Sequence, residues 1–253
     1  MLVAERHQKI LELLNEKKSI RVTELSQLFS VTEETIRRDL EKLERENKLC
    51  RSHGGAISIQ SLESQEISYS KREITNVKEK QEIALEAVKY IEEGDKITLD
   101  ASTTAWYMAK QLPDIRLTVV TNSIKVATEL SAKKQITVIS TGGILLPRSL
   151  SFVGPLAEEA LEKYHVNKAF ISCKGIHLEN GISESDEQQS LVKRKMIENA
   201  EYVYVMADHT KFGQQSFIRT SNLNEIDIII TDSKLDDKNV QEFQNRGIQL
   251  IRM

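Results

Sequence analysis

Apolar, β-branched segments recur through the last two-thirds of this chain, at residues 96–100, 118–121, 135–140, 168–173, 202–207 and 226–231, with helical stretches between them. No other feature limits the fold as strongly. Each segment is apolar on both faces and must be covered from both sides, and strands alternating with helices achieve this as a parallel α/β sheet. Residues 248–251 add an edge strand to the reading. In such sheets, ligands bind beyond the carboxyl ends of the strands.

Those ends are polar or glycine-rich here. Asp100-Ala101-Ser102-Thr103-Thr104 follows the first segment and opens a helix, where hydroxyls and free amides suit an anion. Thr121-Asn122-Ser123 and Thr141-Gly142-Gly143 follow the next two, then Lys174-Gly175, then Asp208-His209-Thr210-Lys211. A single Ser or Thr in such a place is an ordinary helix cap. Repeated around one sheet, with Lys211 as a cation, these ends describe a pocket for a small phosphorylated, hydroxyl-rich molecule. Ser102, Thr103, Thr104 and Lys211 are the candidate phosphate ligands, and Asp100, Asn122, Lys174 and Glu187 the candidate sugar contacts. Thr121, Ser123, Gly142, Gly143, Gly175 and Asp208 complete the expected site.

The first part of the chain has a different pattern. Residues 5–15 place Ile10, Leu11, Leu13 and Leu14 on an amphipathic helix, and Thr23 caps a second whose Leu25, Leu28 and Phe29 turn inward. Ser30-Val31-Thr32 is a turn into a third helix, where Ile36, Leu40 and Leu43 share one face and Thr32 is the N-cap. Helix, helix, short turn, helix is the arrangement that lays its last helix in a major groove. Thr32, Glu34, Thr35, Arg37, Arg38 and Lys42 are the candidate DNA contacts on that helix. The same charges also stand four apart, Glu33 to Arg37, Glu34 to Arg38 and Arg37 to Glu41, so a solvated, self-paired face is the competing reading. Two short apolar segments around Gly54-Gly55 then make a hairpin, a wing on which Arg51, Ser52 and His53 reach toward phosphates.

Residues 60–75, rich in Ser, Gln and Glu at their start, read as a linker between a winged helix-turn-helix domain at 1–59 and an effector domain at 76–253. A helix over residues 76–91 carries Ile83, Ala84, Ala87, Val88 and Ile91 on one face, for packing on the second domain or for a dimer contact. The net charge of −3 is unevenly spread, since residues 1–58 hold 11 Lys and Arg against 10 Asp and Glu. DNA binding must therefore rest on a few placed cations or on several copies of the chain, a homodimer or homotetramer. The two cysteines, Cys50 and Cys173, and the five scattered histidines suggest no disulfide framework and no metal site. Met1 to His7 lacks a signal-peptide core and no apolar run is long enough for a membrane span, so a cytoplasmic protein is expected.

Arg6-His7-Gln8-Lys9-Ile10, Val22-Thr23-Glu24-Leu25-Ser26, Val31-Thr32-Glu33-Glu34-Thr35-Ile36-Arg37-Arg38-Asp39-Leu40 and Arg51-Ser52-His53-Gly54-Gly55-Ala56 closely resemble the N-terminal domain of DeoR-family transcription regulators. Gly94-Asp95-Lys96-Ile97, Val120-Thr121-Asn122-Ser123, Phe152-Val153-Gly154 and Ala207-Asp208-His209-Thr210-Lys211-Phe212-Gly213 resemble that family's sensor domain in the same order. The resemblance implies a sensor similar to sugar-phosphate isomerases and amino-sugar-phosphate deaminases, with a phosphorylated sugar as inducer. It departs at Ser102, where the family commonly has Gly before the two threonines, which adds a side chain beside the expected phosphate loop. The segment Asp100-Ala101-Ser102-Thr103-Thr104-Ala105-Trp106 is similar to that of regulators of deoxyhexose use, such as rhamnose. The expected function is a repressor of a sugar-catabolic operon, with operator DNA and a sugar phosphate as partners and no cofactor. The alternative is an isomerase or deaminase with a DNA-binding appendage, using an acid/base pair drawn from Asp100, Glu184, Asp186, Glu187 and His209.

Overall fold

A computed structural model describes residues 3–17, 19–46, 48–52, 54–58 and 67–253, and the chain divides into two units between Glu66 and Ile67. The first unit holds α1 (Val3–Lys17), β1 (Ser19–Arg21), α2 (Val22–Phe29), α3 (Glu33–Arg45), β2 (Leu49–Ser52) and β3 (Gly55–Ser58). Ile10 and Leu14 of α1, Leu25 of α2 and Ile36, Leu40 and Leu43 of α3 meet in one core, closed by Ile20, Leu49 and Ala56 of the small sheet. That sheet has the order β1-β3-β2, and a side chain at Gly55 would strike the Ile20 carbonyl at 2.3 Å. Two expectations fail in α2. The cap position is Arg21, not Thr23, and Leu28 is exposed, because the eight-residue helix offers only one narrow face to the core.

The second unit opens with α4 (Tyr69–Glu73), inside the stretch expected to be linker. The polar composition there conceals one anchor, Tyr69, which is fully buried. Residues 60–66 lie outside the described residues. α5 (Val77–Val88) follows, and its Ile83, Ala84 and Ala87 pack into the core of the unit, which removes that stripe as a dimer surface.

Then come β4 (Lys96–Leu99), α6 (Thr103–Gln111), β5 (Leu117–Thr121), α7 (Ile124–Leu130) and β6 (Ile136–Ser140), followed by the hairpin β7 (Ile144–Leu146) and β8 (Ser151–Val153). The chain continues with α8 (Pro155–Glu162), β9 (Val166–Ile171), β10 (Gly175–His177), β11 (Gly181–Glu184), α9 (Glu187–Glu198) and β12 (Ala200–Met206). It ends with β13 (Ile218–Ser221), β14 (Ile228–Thr231), α10 (Asp237–Asn245) and β15 (Gln249–Arg252).

Seven of these strands form the expected parallel sheet, in the order β15-β14-β12-β9-β4-β5-β6. Alternate residues serve two cores: Val203, Val205 and Ile229 on one face, Tyr204, Met206 and Ile230 on the other. Helices α5, α6 and α7 cover the second face and α8, α9 and α10 the first. The chain proceeds from β4 through β5 to β6, then returns to place β9 on the other side of β4, so the winding reverses between β4 and β9. A crevice forms at such a reversal, beyond the carboxyl ends of the strands. The antiparallel sheet β10-β11-β13 and the β7-β8 hairpin were not expected, since their strands are only three or four residues long. Among the described residues, no helix is long and apolar enough to cross a membrane, and no cluster of metal-ligating side chains occurs.

Candidate functional site

Thr32 accepts a hydrogen bond from the Thr35 amide at 3.2 Å and so starts α3, while Ser30, at φ 52°, ends α2 in the left-handed conformation that makes the turn tight. Asp39, within the segment Ile36 to Leu40, faces inward. Arg6 grips its carboxylate through Nε at 2.5 Å and Nη2 at 3.1 Å, and His7 Nε2 lies 3.0 Å from Oδ1. Burial alone would raise the Asp39 pKa, but the Arg6 and His7 hydrogen bonds outweigh it and hold the carboxyl below its ordinary value. This anchor of α3 onto α1 was missed in the sequence because Arg6 and Asp39 read as surface charges. Asp39 stands three residues from Ile36 and four from Leu43, in phase with the apolar face, and that was the available signal.

With Asp39 turned in, Thr32, Glu34, Arg37, Arg38 and Lys42 are exposed on the opposite face and Thr35 is half-buried. Arg37 does pair with Glu33 at 2.6 Å and Arg38 with Glu34 at 3.4 Å. Exposed pairs at this spacing contribute only about 0.3–0.5 kcal/mol, against roughly 1–3 kcal/mol for a bidentate base contact, so self-pairing does not keep Arg38 from a groove. Arg51 is exposed on the wing, whose position beside α3 is fixed by its amide donating to Glu44 Oε1 at 3.0 Å. His53 and the Ser52 side chain lie outside the described residues.

In the second unit the expected residues other than Glu187 lie at or just after the carboxyl ends of strands of the parallel sheet. Asp100, fully buried after β4, accepts from the Ser102 amide at 3.1 Å and from the Ser172 amide at 2.9 Å, the latter across the reversal from the end of β9. Lys193 of α9 lies 3.1 Å from Asp100, donates to the Ser172 carbonyl at 2.6 Å and pairs closely with Glu184. Burial alone would depress Lys193, but Glu184 and Asp100 outweigh it and raise its pKa. Lys193 was not expected in the site. It shares a face of α9 with Gln189, Met196 and Ile197, all buried, and that periodicity was its signal.

Ser102 caps α6 by accepting from the Ala105 amide at 3.0 Å, so the side chain in place of Gly serves the helix. The Thr103 and Thr104 amides stand in the first turn, where no intrahelical acceptor exists. On β5, Thr121 donates to the Leu99 carbonyl at 2.7 Å and accepts from the Ser123 amide at 3.0 Å, and Ser123 caps α7. Asn122 spends its amide nitrogen on the Phe152 carbonyl at 2.9 Å, while its Oδ1 is buried without a partner among the described residues. Gly143 and Gly175 have structural reasons: an added Cβ would meet the Val153 carbonyl at 2.7 Å and the Gln214 carbonyl at 2.5 Å. Gly142 has open space around it.

At the end of β12, Asp208 caps a short 3-10 turn by accepting from the Thr210 amide at 3.1 Å, and Lys211 emerges half-buried from that turn. His209 Nδ1 is 3.0 Å from Asp232, the buried carboxylate at the end of β14. Lys174 is half-buried beside Cys173, whose thiol burial pushes up to about 12. Asp186 caps α9, and Glu187 in its first turn is exposed; the carboxylate that reaches the Asp100 cluster from this segment is Glu184.

A model of the DeoR-like helix-turn-helix domain matches residues 6–62, and one of the DeoR C terminal sensor domain matches residues 75–233. The chain is 61% identical over 250 residues to the HTH-type transcriptional regulator YulB of Bacillus subtilis strain 168, covering 99% of this chain and 96% of that one. It is 39% identical to the HTH-type transcriptional repressor GlcR of the same organism, over 99% and 96% of the two chains. It is 38% identical to the L-fucose operon activator of Haemophilus influenzae, over 94% and 95%.

Proposed function

Because this chain belongs to the DeoR family of helix-turn-helix transcriptional regulators, we propose that it represses a sugar-catabolic operon and releases its operator on binding a phosphorylated sugar. The chain is a DNA-binding regulator with a sensor for a small molecule, and not an enzyme. In this reading the exposed face of α3 reads base edges, with Thr32, Glu34, Thr35, Arg37, Arg38 and Lys42 facing the groove and Arg51, Ser52 and His53 on the flanking backbone. The α6 amides with Ser102, Thr103, Thr104 and Lys211 take the phosphate, where helix N-terminus and cation both favour a dianion. Asp100, Asn122, Lys174 and Glu187 face the sugar. Asp100 and Glu184, both tied to Lys193, recognise hydroxyls or hold the site together in place of transferring protons. The regulator works in the cytoplasm, as a homodimer or homotetramer.

The observation that carries the reading is the buried Asn122 Oδ1, which meets no donor among the described residues at the end of β5, before α7. A sugar hydroxyl supplies that donor. A deoxyhexose phosphate is the preferred candidate, on the segment from Asp100 to Trp106 and on the Haemophilus relative named for an L-fucose operon. Thermal-shift screening against sugar phosphates and the matching free sugars tests it: a ligand at a hundred times its Kd adds about 2.7 kcal/mol. Stabilisation by no sugar phosphate, or equal stabilisation by the free sugar, rejects the reading.

A further inference from the structure

Helix α4 lies against the same edge of the sheet. The Tyr69 amide donates to the Arg148 carbonyl at 2.7 Å. From Arg148 the chain runs alongside the end of β5, with the Ile124 amide on the Leu150 carbonyl at 3.0 Å and the Phe152 amide on the Asn122 carbonyl at 2.8 Å. The other end of the corner is fixed as firmly. Lys80 of α5 donates to the Arg72 and Thr75 carbonyls, each at 2.6 Å, and Asn76 donates to Asp208 at 3.3 Å. Tyr107 of α6 donates to the Glu73 carbonyl at 3.0 Å. The α4–α5 corner thus bridges from the Asn122 side of the edge to the Asp208 side.

Inside this corner two cations approach the Tyr69 ring, the Arg72 guanidinium at 5.6 Å and Lys125 Nζ at 5.5 Å from its centroid. Its hydroxyl is buried and has no hydrogen-bond partner among the described residues, like Asn122 Oδ1. Burial and the nearby Glu73 and Asp100 carboxylates keep it protonated and hence able to donate. An unmet phenol donor on the residue hydrogen-bonded to Arg148 and an unmet amide acceptor on the residue hydrogen-bonded to Phe152, four positions along the same segment, are the complement of a polyol, whose hydroxyls accept and donate alike. Water satisfies such groups only where two or more polar partners converge, as they do in a sugar site.

We propose that α4 forms a wall of the effector site and that the Tyr69 hydroxyl donates to a hydroxyl of the bound sugar. This rests on the site assigned under Proposed function and extends it to an element outside the strand ends. Its consequence is regulatory. α4 is the first described element of the second unit, so effector contact falls on the described element of that unit nearest in sequence to the DNA-binding one.

The test titrates full-length wild type, Tyr69→Phe and Lys211→Ala with inorganic phosphate and with fructose 1-phosphate, ribose 5-phosphate and a 6-deoxyhexose 1-phosphate. Tyr69→Phe keeps the ring beside its cations, and its ligand-free melting temperature reports any packing loss. For the sugar phosphate that binds wild type best, Tyr69→Phe is expected to raise Kd about three- to tenfold, the range of one neutral hydrogen bond, with inorganic phosphate binding unchanged. Lys211→Ala is expected to weaken both. Wild-type sugar-phosphate affinity in Tyr69→Phe, beside a weakened Lys211→Ala, overturns the wall and spares the phosphate site. The converse pair keeps the Tyr69 contact and moves the phosphate elsewhere, and binding of no sugar phosphate overturns both.

Discussion

Arg6 holds the Asp39 carboxylate with two nitrogens, at 2.5 and 3.1 Å, and so turns one residue of α3 inward while the two arginines before it face out. Removing one partner strands a buried charge, so Asp39→Ala or Arg6→Ala is expected to cost about 3–5 kcal/mol in urea unfolding, whereas the apolar pair Arg6→Met with Asp39→Leu recovers most of it. The Asp39 pKa is depressed on folding, so the stability from this pair is full above its ordinary value of 3.8 and is lost as pH falls through the folded value. A loss below 1 kcal/mol for the single variants would show that the pair is not what seats α3.

The exposed face of α3 carries the DNA prediction. Arg38→Ala is expected to cost roughly 1–3 kcal/mol and to relax preference at one operator position, while Arg51→Ala weakens binding to all sequences alike. Operator selection from a randomised pool reads both. Unchanged affinity and unchanged preference for Arg38→Ala would leave its pair with Glu34 as the whole role of this side chain.

Lys193 pairs with both Asp100 and Glu184 in the interior and offsets one of their two charges. Lys193→Met is therefore expected to cost about 3–5 kcal/mol, and adding Glu184→Gln to recover part of that by removing one stranded charge. Unfolding midpoints of the two variants decide it; no recovery in the double variant would mean that the lysine stem, not its charge, is what the fold needs.

How much of this was legible follows from what each residue must do. The parallel strands were, because burial on both faces makes a strand uniformly apolar, and the polar strand ends were, because that run stops abruptly at Asp100, Thr121 and Asp208. Lys193 and Asp39 were not, since a charge in the apolar phase of a helix is read as surface unless its partner, distant in sequence, is known. Tyr69 was hidden for another reason: one aromatic in a polar stretch has no period to reveal it. Gly143 and Gly175 stand out in the sequence only as glycines after strands, while the structure gives each a packing cause, close backbone approach, that a sequence does not display.

Assembly is testable directly. A winged domain whose charges nearly cancel makes few phosphate contacts, so the active species is expected to be at least a dimer reading repeated or inverted half-sites. Sedimentation velocity of the protein with operator at physiological salt measures this. A monomer bound tightly to its operator would contradict it.

The coupling between the two sites is measured most directly by anisotropy of a labelled operator, titrated with the sugar phosphate that stabilises the protein, for wild type and Lys211→Ala. Equal operator affinity is expected without effector, because Lys211 is in the other unit, with at least tenfold more effector needed for release, about 1.4 kcal/mol. By linkage, the effector also binds the operator complex more weakly than the free protein, by the same factor that it lowers operator affinity. Release of Lys211→Ala at the wild-type effector concentration would contradict the account.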